Sequence, residues 1–330
     1  MENRGLKMVD TSALRPPASS LQPRPIFIAG PTAVGKSAIA LALAEKTGGE
    51  IISVDSMQVY RGLDIGTAKP SPAERARVPH HLIDVCGLHE AFDAAQFIRL
   101  AEKAVAEIQS RGHTPIFCGG TGLYFQTFLE GLGEAPAPHP ELRAELEAAP
   151  VAALLHELRE RDPAAYEKID KQNPRRVVRA VEVIRLTGKK FSEQRAEWKA
   201  GSSRCDDRTA QRAVPAMFCF TRVAEDLHAR INIRVDEMFA RGFVDETKQL
   251  LKRGLSENKF AMQAIGYRQV VEHLRGECGL AETIELVKIR TRQFAKRQLT
   301  WFRRHGNCEW IELPPGNPPE KDAENIGGRI

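Results

Sequence analysis

The stretch that most constrains the fold is GPTAVGKS at residues 30–37, which fits the phosphate-binding pattern G-x-x-x-x-G-K-[ST]. A short apolar run, PIFIAG, precedes it, and an apolar helical pattern, KSAIALALAEKTG, follows it. In such a strand–loop–helix unit the loop N–H groups face one anion, Lys36 adds a positive charge and Ser37 can ligate Mg²⁺. Enzymes that bind ATP or GTP are the usual owners of this pattern. The pattern predicts a phosphate site, but it does not identify the molecule that carries the phosphate.

Two further apolar runs, EIISVD and TPIFCGGTG, lie on either side of an amphipathic helical pattern that ends at Gly112. Short strands that are apolar throughout and alternate with helices indicate a parallel α/β sheet. Ligands of such sheets bind at the carboxyl ends of the strands. We therefore expect residues 30–37, Asp55 and residues 119–122 to converge on one site.

Asp55 and Thr121 are the polar side chains at the second and third strand ends. An acid beside a phosphate loop can hold Mg²⁺ or act as a general base, whereas the alternative is an Asp that caps the following turn. The third strand end, CGGTGLY, lacks the usual acid and offers the Thr121 hydroxyl instead. Thr121 either contacts a polar substrate or caps a Gly-rich turn.

After Gly133 the composition changes to a Pro-rich entry followed by helical patterns, then a polar loop and a strand, PAMFCFT. From Asp226 onward the pattern is helical, and the 18 residues at the carboxyl end are polar and Pro-rich. We predict a disordered leader over 1–24, an α/β core over 25–139 and 206–312, a helical insertion over 140–205, and a disordered tail over 313–330.

The last predicted helix is strongly basic, which alone is equally typical of a solvated charged face. Trp301 and Phe302 are interleaved with its arginines, and cations with stacking aromatics favour unpaired nucleotides. A second basic cluster lies on the insertion at Arg175, Arg176 and Arg179. Two separated basic patches predict a folded RNA as the partner.

The bulk composition adds weaker constraints. The formal net charge of +5 suits an RNA or phosphate partner, and suits an ordinary basic enzyme equally well. The six cysteines form no C-x-x-C pair and none has zinc-ligand spacing, which indicates a reducing compartment. No apolar run approaches the roughly 18 residues that cross a bilayer. We expect a cytoplasmic protein without membrane contact, and a monomer, since no coiled coil is evident.

Six blocks in order, GPTAVGKS, SVDSMQVYRGLDIGTAKP, PHHLIDV, CGGTGLY, AIGYRQ and KRQLTWFRR, together resemble the tRNA dimethylallyltransferase family. The resemblance implies a P-loop kinase-like parallel sheet core with an inserted helical domain that grips the anticodon arm and a basic C-terminal helical region. It implies transfer of a dimethylallyl group from dimethylallyl diphosphate to the N6 amine of the adenosine 3′ to the anticodon in tRNA. It also implies Mg²⁺ as cofactor.

The resemblance assigns residue roles as well. It implies Asp55 as general base, Thr121 near the reacting centre, Lys36 at the leaving group, and Ser37 at Mg²⁺. Gln58 is a plausible reader of the flipped base. The diphosphate would contact Gly30, Pro31, Thr32, Ala33, Val34, Gly35, Lys36, Ser37, and Arg234 or Arg230, with Arg234 favoured. The tRNA would contact Asp55, Ser56, Met57, Gln58, Thr121, Arg143, Arg175, Arg176, Arg179, Gln263, Gly266, Tyr267, Arg268, Lys296, Arg297, Gln298, Trp301 and Arg303.

Two other functions compete with this one. A small-molecule or nucleotide kinase would use the same loop with ATP, and it needs a lid with paired arginines near the γ-phosphate. No clear lid pattern is present, although the helical insertion has room for one. A non-catalytic RNA-binding protein would keep the loop only as structure, and the intact Lys36–Ser37 pair beside Asp55 argues against it.

Overall fold

The computed structural model describes residues 22–132, 135–194, 217–305 and 308–329. Its centre is a parallel six-stranded sheet with the order β3-β2-β4-β1-β5-β6. The predicted fold class is thereby confirmed. The strands are β1 (Ile26–Ala29), β2 (Glu50–Val54), β3 (His80–His81), β4 (Pro115–Gly119), β5 (Met217–Thr221) and β6 (Glu309–Glu312).

Helices cover both faces of this sheet. The helices are α1 (Lys36–Thr47), α2 (Pro72–Arg77), α3 (Ala94–Ser110), α4 (Gly122–Glu130), α5 (Pro140–Ala148), α6 (Val151–Arg161), α7 (Pro163–Lys168), α8 (Pro174–Thr187), α9 (Ala224–Ala240), α10 (Phe243–Lys252), α11 (Tyr267–Leu274), α12 (Leu280–His305) and α13 (Pro319–Gly327).

The central strands are buried on both sides because successive side chains alternate between two apolar clusters. In β1, Ile26 and Ile28 belong to one cluster, while Phe27 and Ala29 belong to the other. Helices α1 and α9 contribute to the first cluster, and α3 and α4 to the second. The register aligns the carboxyl ends of β1, β2 and β4, since Gly119 pairs with both Ala29 and Val54. This alignment places three loops along one edge of the sheet.

The stretch predicted as a helical insertion contains α5 to α8, which enclose a small apolar cluster of their own. Glu182 of α8 is fully buried in this unit, and it accepts hydrogen bonds from Arg143 at 2.6 Å and Arg179 at 2.7 Å. Burial would raise the pKa of the Glu182 carboxyl, but the bonds from both arginines hold it below its usual value. The end of the predicted insertion, 195–205, lies outside the described residues.

The predicted disordered tail is wrong. Residues 319–327 form α13, whose Ala323 and Ile326 are each 1% exposed and pack with the apolar cluster beneath α1. These two residues are three positions apart and therefore share one helical face. The charged residues around them make this apolar spacing hard to recognise in the sequence. Strand β6, which follows the last basic helix and extends the sheet, has no counterpart in the predicted pattern. The predicted leader, 1–24, lies outside the described residues except for 22–24.

Candidate active site

The phosphate loop follows β1 at the aligned sheet edge. Gly30 has φ of 152°, and an added Cβ would lie 2.9 Å from the carbonyl oxygen of Phe220 in the neighbouring β5. Helix α1 begins at Lys36 with no side-chain cap, so its first N–H groups remain available to an anion. A cavity of about 380 Å³ opens here, between the loop and the Arg230, Ile233 and Arg234 side chains of α9.

Lys36 and Arg234 place two positive charges close to Asp55 within this site. Burial lowers the pKa of the Lys36 ammonium, and Arg234 lowers it further, while Asp55 opposes the shift. Burial likewise lowers the pKa of the Arg234 guanidinium, and Asp55 again opposes. The Lys36 Nζ donates to the carbonyl of Pro31 at 3.1 Å. Two partly buried cations with one carboxylate make a site that favours an additional anion.

Two other arginines donate hydrogen bonds to backbone carbonyls of the loop. Arg230 Nε donates to the carbonyl of Ala33 at 2.9 Å, and Arg222 Nε donates to that of Val34 at 2.7 Å. Arg222 is 8% exposed, and its guanidinium also bonds Asp226 at 2.9 Å. Sequence reasoning missed Arg222, although a charged residue directly after the buried strand MFCFT is a usable signal. Arg230 is therefore a support of the loop, and Arg234 is the arginine in electrostatic contact with Lys36 and Asp55.

Asp55 and Thr121 meet as predicted, because their strands are neighbours in the sheet. The Oδ1 atom of Asp55 accepts from the N–H groups of Met57 at 2.8 Å and Gln58 at 3.2 Å, so it does cap the turn. Within the described part of the chain no donor reaches Oδ2. The Thr121 Oγ1 accepts from the N–H of Ser56 at 3.2 Å, which binds the two strand-end loops together. One carboxylate oxygen is structural and the other is available for chemistry.

Several predicted RNA contacts are engaged inside the protein. Gln58 accepts from Ser53 Oγ at 2.9 Å and donates to the carbonyl of Thr67 at 3.2 Å, so reading a base would require these bonds to break. Tyr267 is fully buried and donates to Glu246 at 2.7 Å. Phe302 is also fully buried, and the expectation that it stacks on nucleotides is wrong. Gly266, the residue that precedes α11, is likewise buried.

Other predicted RNA contacts are exposed cations on three helices. Arg175 and Arg176 lie on α8, where Arg175 bonds Gln263 and its guanidinium lies 5.4 Å from the Phe260 ring centre. Arg268 on α11 pairs with Glu272 at 2.9 Å. On α12 the predicted contacts Lys296, Arg297 and Arg303 are all exposed, as are Arg290 and Arg304 of the same helix. Arg143 and Arg179, by contrast, bond Glu182, as described above.

A magnesium ion fits this edge of the sheet in part. The Ser37 side chain is exposed in the first turn of α1, and Asp55 has one free oxygen. Across the described ranges, no group of three or more His, Cys, Asp or Glu side chains could hold a metal. Mg²⁺ usually takes one or two protein oxygens and completes its shell with water and phosphate oxygens. The donor set therefore suits an ion that arrives with a phosphorylated substrate.

Sequence comparisons agree on one family. The family model described as IPP transferase matches residues 58–305. A tRNA dimethylallyltransferase of Geobacter sulfurreducens is 46% identical over 293 residues, which cover 88% of this chain and 92% of the relative. The tRNA dimethylallyltransferase 2 of Syntrophus aciditrophicus is 45% identical over 314 residues, which cover 94% of this chain and 97% of the relative.

Solved structures give the same result. The full-length tRNA isopentenylpyrophosphate transferase of Bacillus halodurans is 38% identical with a TM-score of 0.65, and the match covers 93% of this chain and 96% of that one. A eukaryotic dimethylallyltransferase solved acting on tRNA has a TM-score of 0.75 at 30% identity, with 92% of this chain and 79% of that chain covered. Within the described ranges, none of the helices is both long enough and apolar enough to cross a membrane.

Proposed function

The chain belongs to the IPP transferase family, and we propose that it transfers the dimethylallyl group of dimethylallyl diphosphate to the N6 amine of the adenosine 3′ to the anticodon in tRNA. The products are N6-isopentenyladenosine and diphosphate. The observation that carries this proposal is the cavity lined by the phosphate loop, Lys36 and Arg234, whose two cations interact electrostatically with the Asp55 carboxylate. An anion site beside a free carboxylate oxygen suits departure of diphosphate with removal of a proton.

The leaving group is the diphosphate. As the allylic C–O bond breaks, its electron pair stays on the diphosphate oxygen and positive charge develops on the allyl carbon. The loop N–H groups, Lys36 and Arg234 stabilise the departing negative charge, which is the term that dominates catalysis in such transfers. Mg²⁺ bound at Ser37 would add further charge to this end of the site. Because both cations are partly buried, their attraction to the departing diphosphate is screened less than it would be in bulk water.

The acceptor needs a base. The N6 lone pair of adenosine is delocalised into the ring, so the amine must lose a proton as the new C–N bond forms. The free Oδ2 of Asp55 accepts that proton, while Oδ1 stays bonded to the N–H groups of Met57 and Gln58 and fixes the carboxylate orientation. The Thr121 hydroxyl, which accepts from the N–H of Ser56, lies at the neighbouring strand end, after β4. Asp55 is therefore the proposed base, and Thr121 a contact to the substrate near it.

The RNA must deliver an extruded base to this site. Unstacking a base costs a few kcal/mol, and this cost is least for a nucleotide in a loop. Contacts from the exposed cations of α8, α11 and α12 to the RNA backbone would offset it. We propose a single chain as the acting unit, because every group in this scheme comes from one chain, and the cytoplasm as its location.

The decisive experiment is incubation of the protein with labelled dimethylallyl diphosphate and unmodified tRNA. Label is expected at one adenosine, recovered as N6-isopentenyladenosine after nuclease digestion. A parallel incubation with ATP and no prenyl donor tests the kinase alternative. Nucleotide turnover in that arm, together with unlabelled tRNA in the first, would overturn the proposal.

A further inference from the structure

Gln298 of α12 lies beneath the proposed site and is 7% exposed. Its Oε1 accepts a hydrogen bond from the N–H of Thr32 in the phosphate loop at 2.8 Å. Its Nε2 donates to the carbonyl of Gly120 at 2.9 Å. One side chain thus joins the loop after β1 to the turn after β4, which also carries Thr121.

The contact between α12 and this turn is very close. A Cβ at Gly120 would lie 2.1 Å from the Nε2 of Gln298, and a Cβ at Gly122 would lie 2.1 Å from the Trp301 ring. At either position a Cβ would displace the α12 side chain that packs against the glycine. With two such contacts one helical turn apart, α12 and the turn must move together.

The opposite face of α12 carries the cations proposed to contact RNA. Lys296, Arg297 and Arg303 are exposed, and none has a carboxylate partner within the part of the chain that the structure describes. The Arg297 guanidinium lies 5.8 Å from the Phe294 ring centre, and that of Arg303 lies 5.8 Å from the Trp310 ring centre. The outward cation at 297 and the inward amide at 298 are therefore neighbours on one rigid helix.

We propose that Gln298 is a positioning residue through which tRNA bound on α12 sets the geometry of the phosphate loop, so that tRNA and the diphosphate of the donor bind cooperatively. This inference rests on the proposed function. A shift of α12 on RNA binding moves the Thr32 N–H and the Gly120 carbonyl together, because both are bonded to one amide. Cooperativity of this kind is reciprocal: the RNA must tighten diphosphate binding by the same factor by which diphosphate tightens RNA binding.

The test measures that factor by titration calorimetry, with inorganic diphosphate as the probe and an unmodified anticodon stem-loop as the RNA. For the wild-type protein we expect saturating RNA to lower the Kd of diphosphate by about 5-fold or more. Gln298→Met keeps the length of the side chain and loses both hydrogen bonds. In this variant the ratio of the diphosphate Kd without RNA to that with RNA is expected to fall to one. Gln298 itself was predicted to contact tRNA, but both polar atoms of its amide are bonded inside the protein, and the exposed cations of α12 are intact in this variant. The Kd of the RNA alone is therefore expected to stay unchanged.

Two further variants isolate the bridge. Gln293→Met is the matched control, because Gln293 is exposed on the same helix and, among the described residues, its side chain bonds only Arg290, at 3.2 Å. It should keep the wild-type ratio. Gly120→Ala displaces the Gln298 amide without changing Gln298, and it serves as the second test if Gln298→Met does not fold. It should bring the ratio to one. The double variant Gly120→Ala with Gln298→Met should show no further loss of cooperativity, because both changes break the same contact.

A wild-type ratio of one, or a Gln298→Met ratio equal to that of the wild type, would overturn the inference. A merely structural Gln298 would lower the melting temperature and leave the ratio intact. Transfer of labelled dimethylallyl by the wild-type protein is assayed in parallel. If the wild-type protein transfers the label but either of these two ratios is found, only the role of Gln298 is rejected. If no label is transferred, the proposed function is rejected and this inference with it.

Discussion

The two carboxylate oxygens of Asp55 have different surroundings, and the difference separates structure from chemistry. Oδ1 accepts two backbone N–H groups, of Met57 and Gln58, whereas Oδ2 has no donor among the described residues. The carboxylate also interacts electrostatically with Lys36 and Arg234, which a turn cap alone would not require. A substitution that keeps the capping acceptor and removes the base should therefore affect only the chemical step.

Asp55→Asn is that substitution, since the amide oxygen can replace Oδ1. We expect turnover in the tRNA labelling assay to fall by about 10²-fold or more, because no base removes the N6 proton. The Kd values for tRNA and donor should stay close to those of the wild type. Asp55→Ala, which also loses the turn cap, serves for comparison. Undiminished turnover in Asp55→Asn would remove Asp55 as the base.

Arg234 and Arg230 stand one helical turn apart on α9, and the structure gives them different neighbours. Arg230 bonds the back of the loop, whereas Arg234 interacts electrostatically with Lys36 and Asp55. We expect Arg234→Gln to lower kcat/KM for the donor by about 10²-fold, in the range found when one transition-state charge contact is lost. Arg230→Gln is the matched control and should have a smaller effect. The reverse order of the two variants would assign the diphosphate contact to Arg230.

At the scale of single elements, Glu50 joins β2, β3 and the chain after α3. Its carboxylate, 3% exposed, bonds His81 at 2.6 Å, His113 at 2.8 Å and Arg111 at 2.9 and 2.8 Å. Burial alone would raise its pKa, but these bonds, led by that from Arg111, hold it at about 2 against an ordinary value of 4.5. A lowered carboxyl pKa stabilises the fold above pH 4.5, and this contribution is lost as the pH falls from 4.5 toward 2.

Replacing Glu50 should remove this pH dependence. The shift corresponds to a contribution of about 3 kcal/mol at neutral pH. In urea unfolding at pH 7, Glu50→Gln should lose stability of this order, and the loss should shrink as the pH approaches 2. Glu107→Gln on α3 is the control, because its ion pair with Lys103, 3.8 Å long, is exposed and worth little. An equal loss for Glu50→Gln at pH 7 and at pH 2 would contradict the linkage.

Helix α13 should be an integral part of the core. Ile326 is 1% exposed against the cluster beneath α1. Removing its side chain leaves a cavity, so Ile326→Ala should lower the free energy of unfolding by about 2–4 kcal/mol. Ile289→Ala provides the control, because Ile289 is 41% exposed on α12. Equal stability of the two variants in chemical denaturation would mean that the tail does not stay docked.

At this scale, the features that can be predicted from the sequence are those that local patterns determine. The loop at 30–37, the apolar strands and their shared edge follow from motif and periodicity. The contacts of Arg222 and Gln298 with the loop do not, because these residues reach it only after β5 and α12 have docked. The burial of Phe302 could have been predicted, since Ala295, Gln298 and Phe302 fall on one helical face. Aromatic residues among cations indicated RNA, but the helical period decides which of them face it.

At the scale of the whole molecule, the proposed site and the proposed RNA surface share α12. Its inward face holds the phosphate loop through Gln298, and its outward face presents cations without carboxylate partners in the described chain. The insertion adds Arg175 and Arg176, which α8 exposes. The enzyme would therefore bind RNA mainly through charge, with the base read only after it enters the strand-end site.

A charge-driven grip predicts a steep dependence of tRNA affinity on salt, because bound cations release counterions from the phosphates. The combined change of Lys296, Arg297 and Arg303 to Ala should reduce the slope of log K against log[salt] by about one for each lost phosphate contact. Arg99→Ala, which removes an exposed cation from α3, should leave the slope unchanged. Fluorescence anisotropy with a labelled anticodon stem-loop measures all three proteins. A wild-type slope near zero, or a triple variant with the wild-type slope, would show that these cations do not hold the RNA.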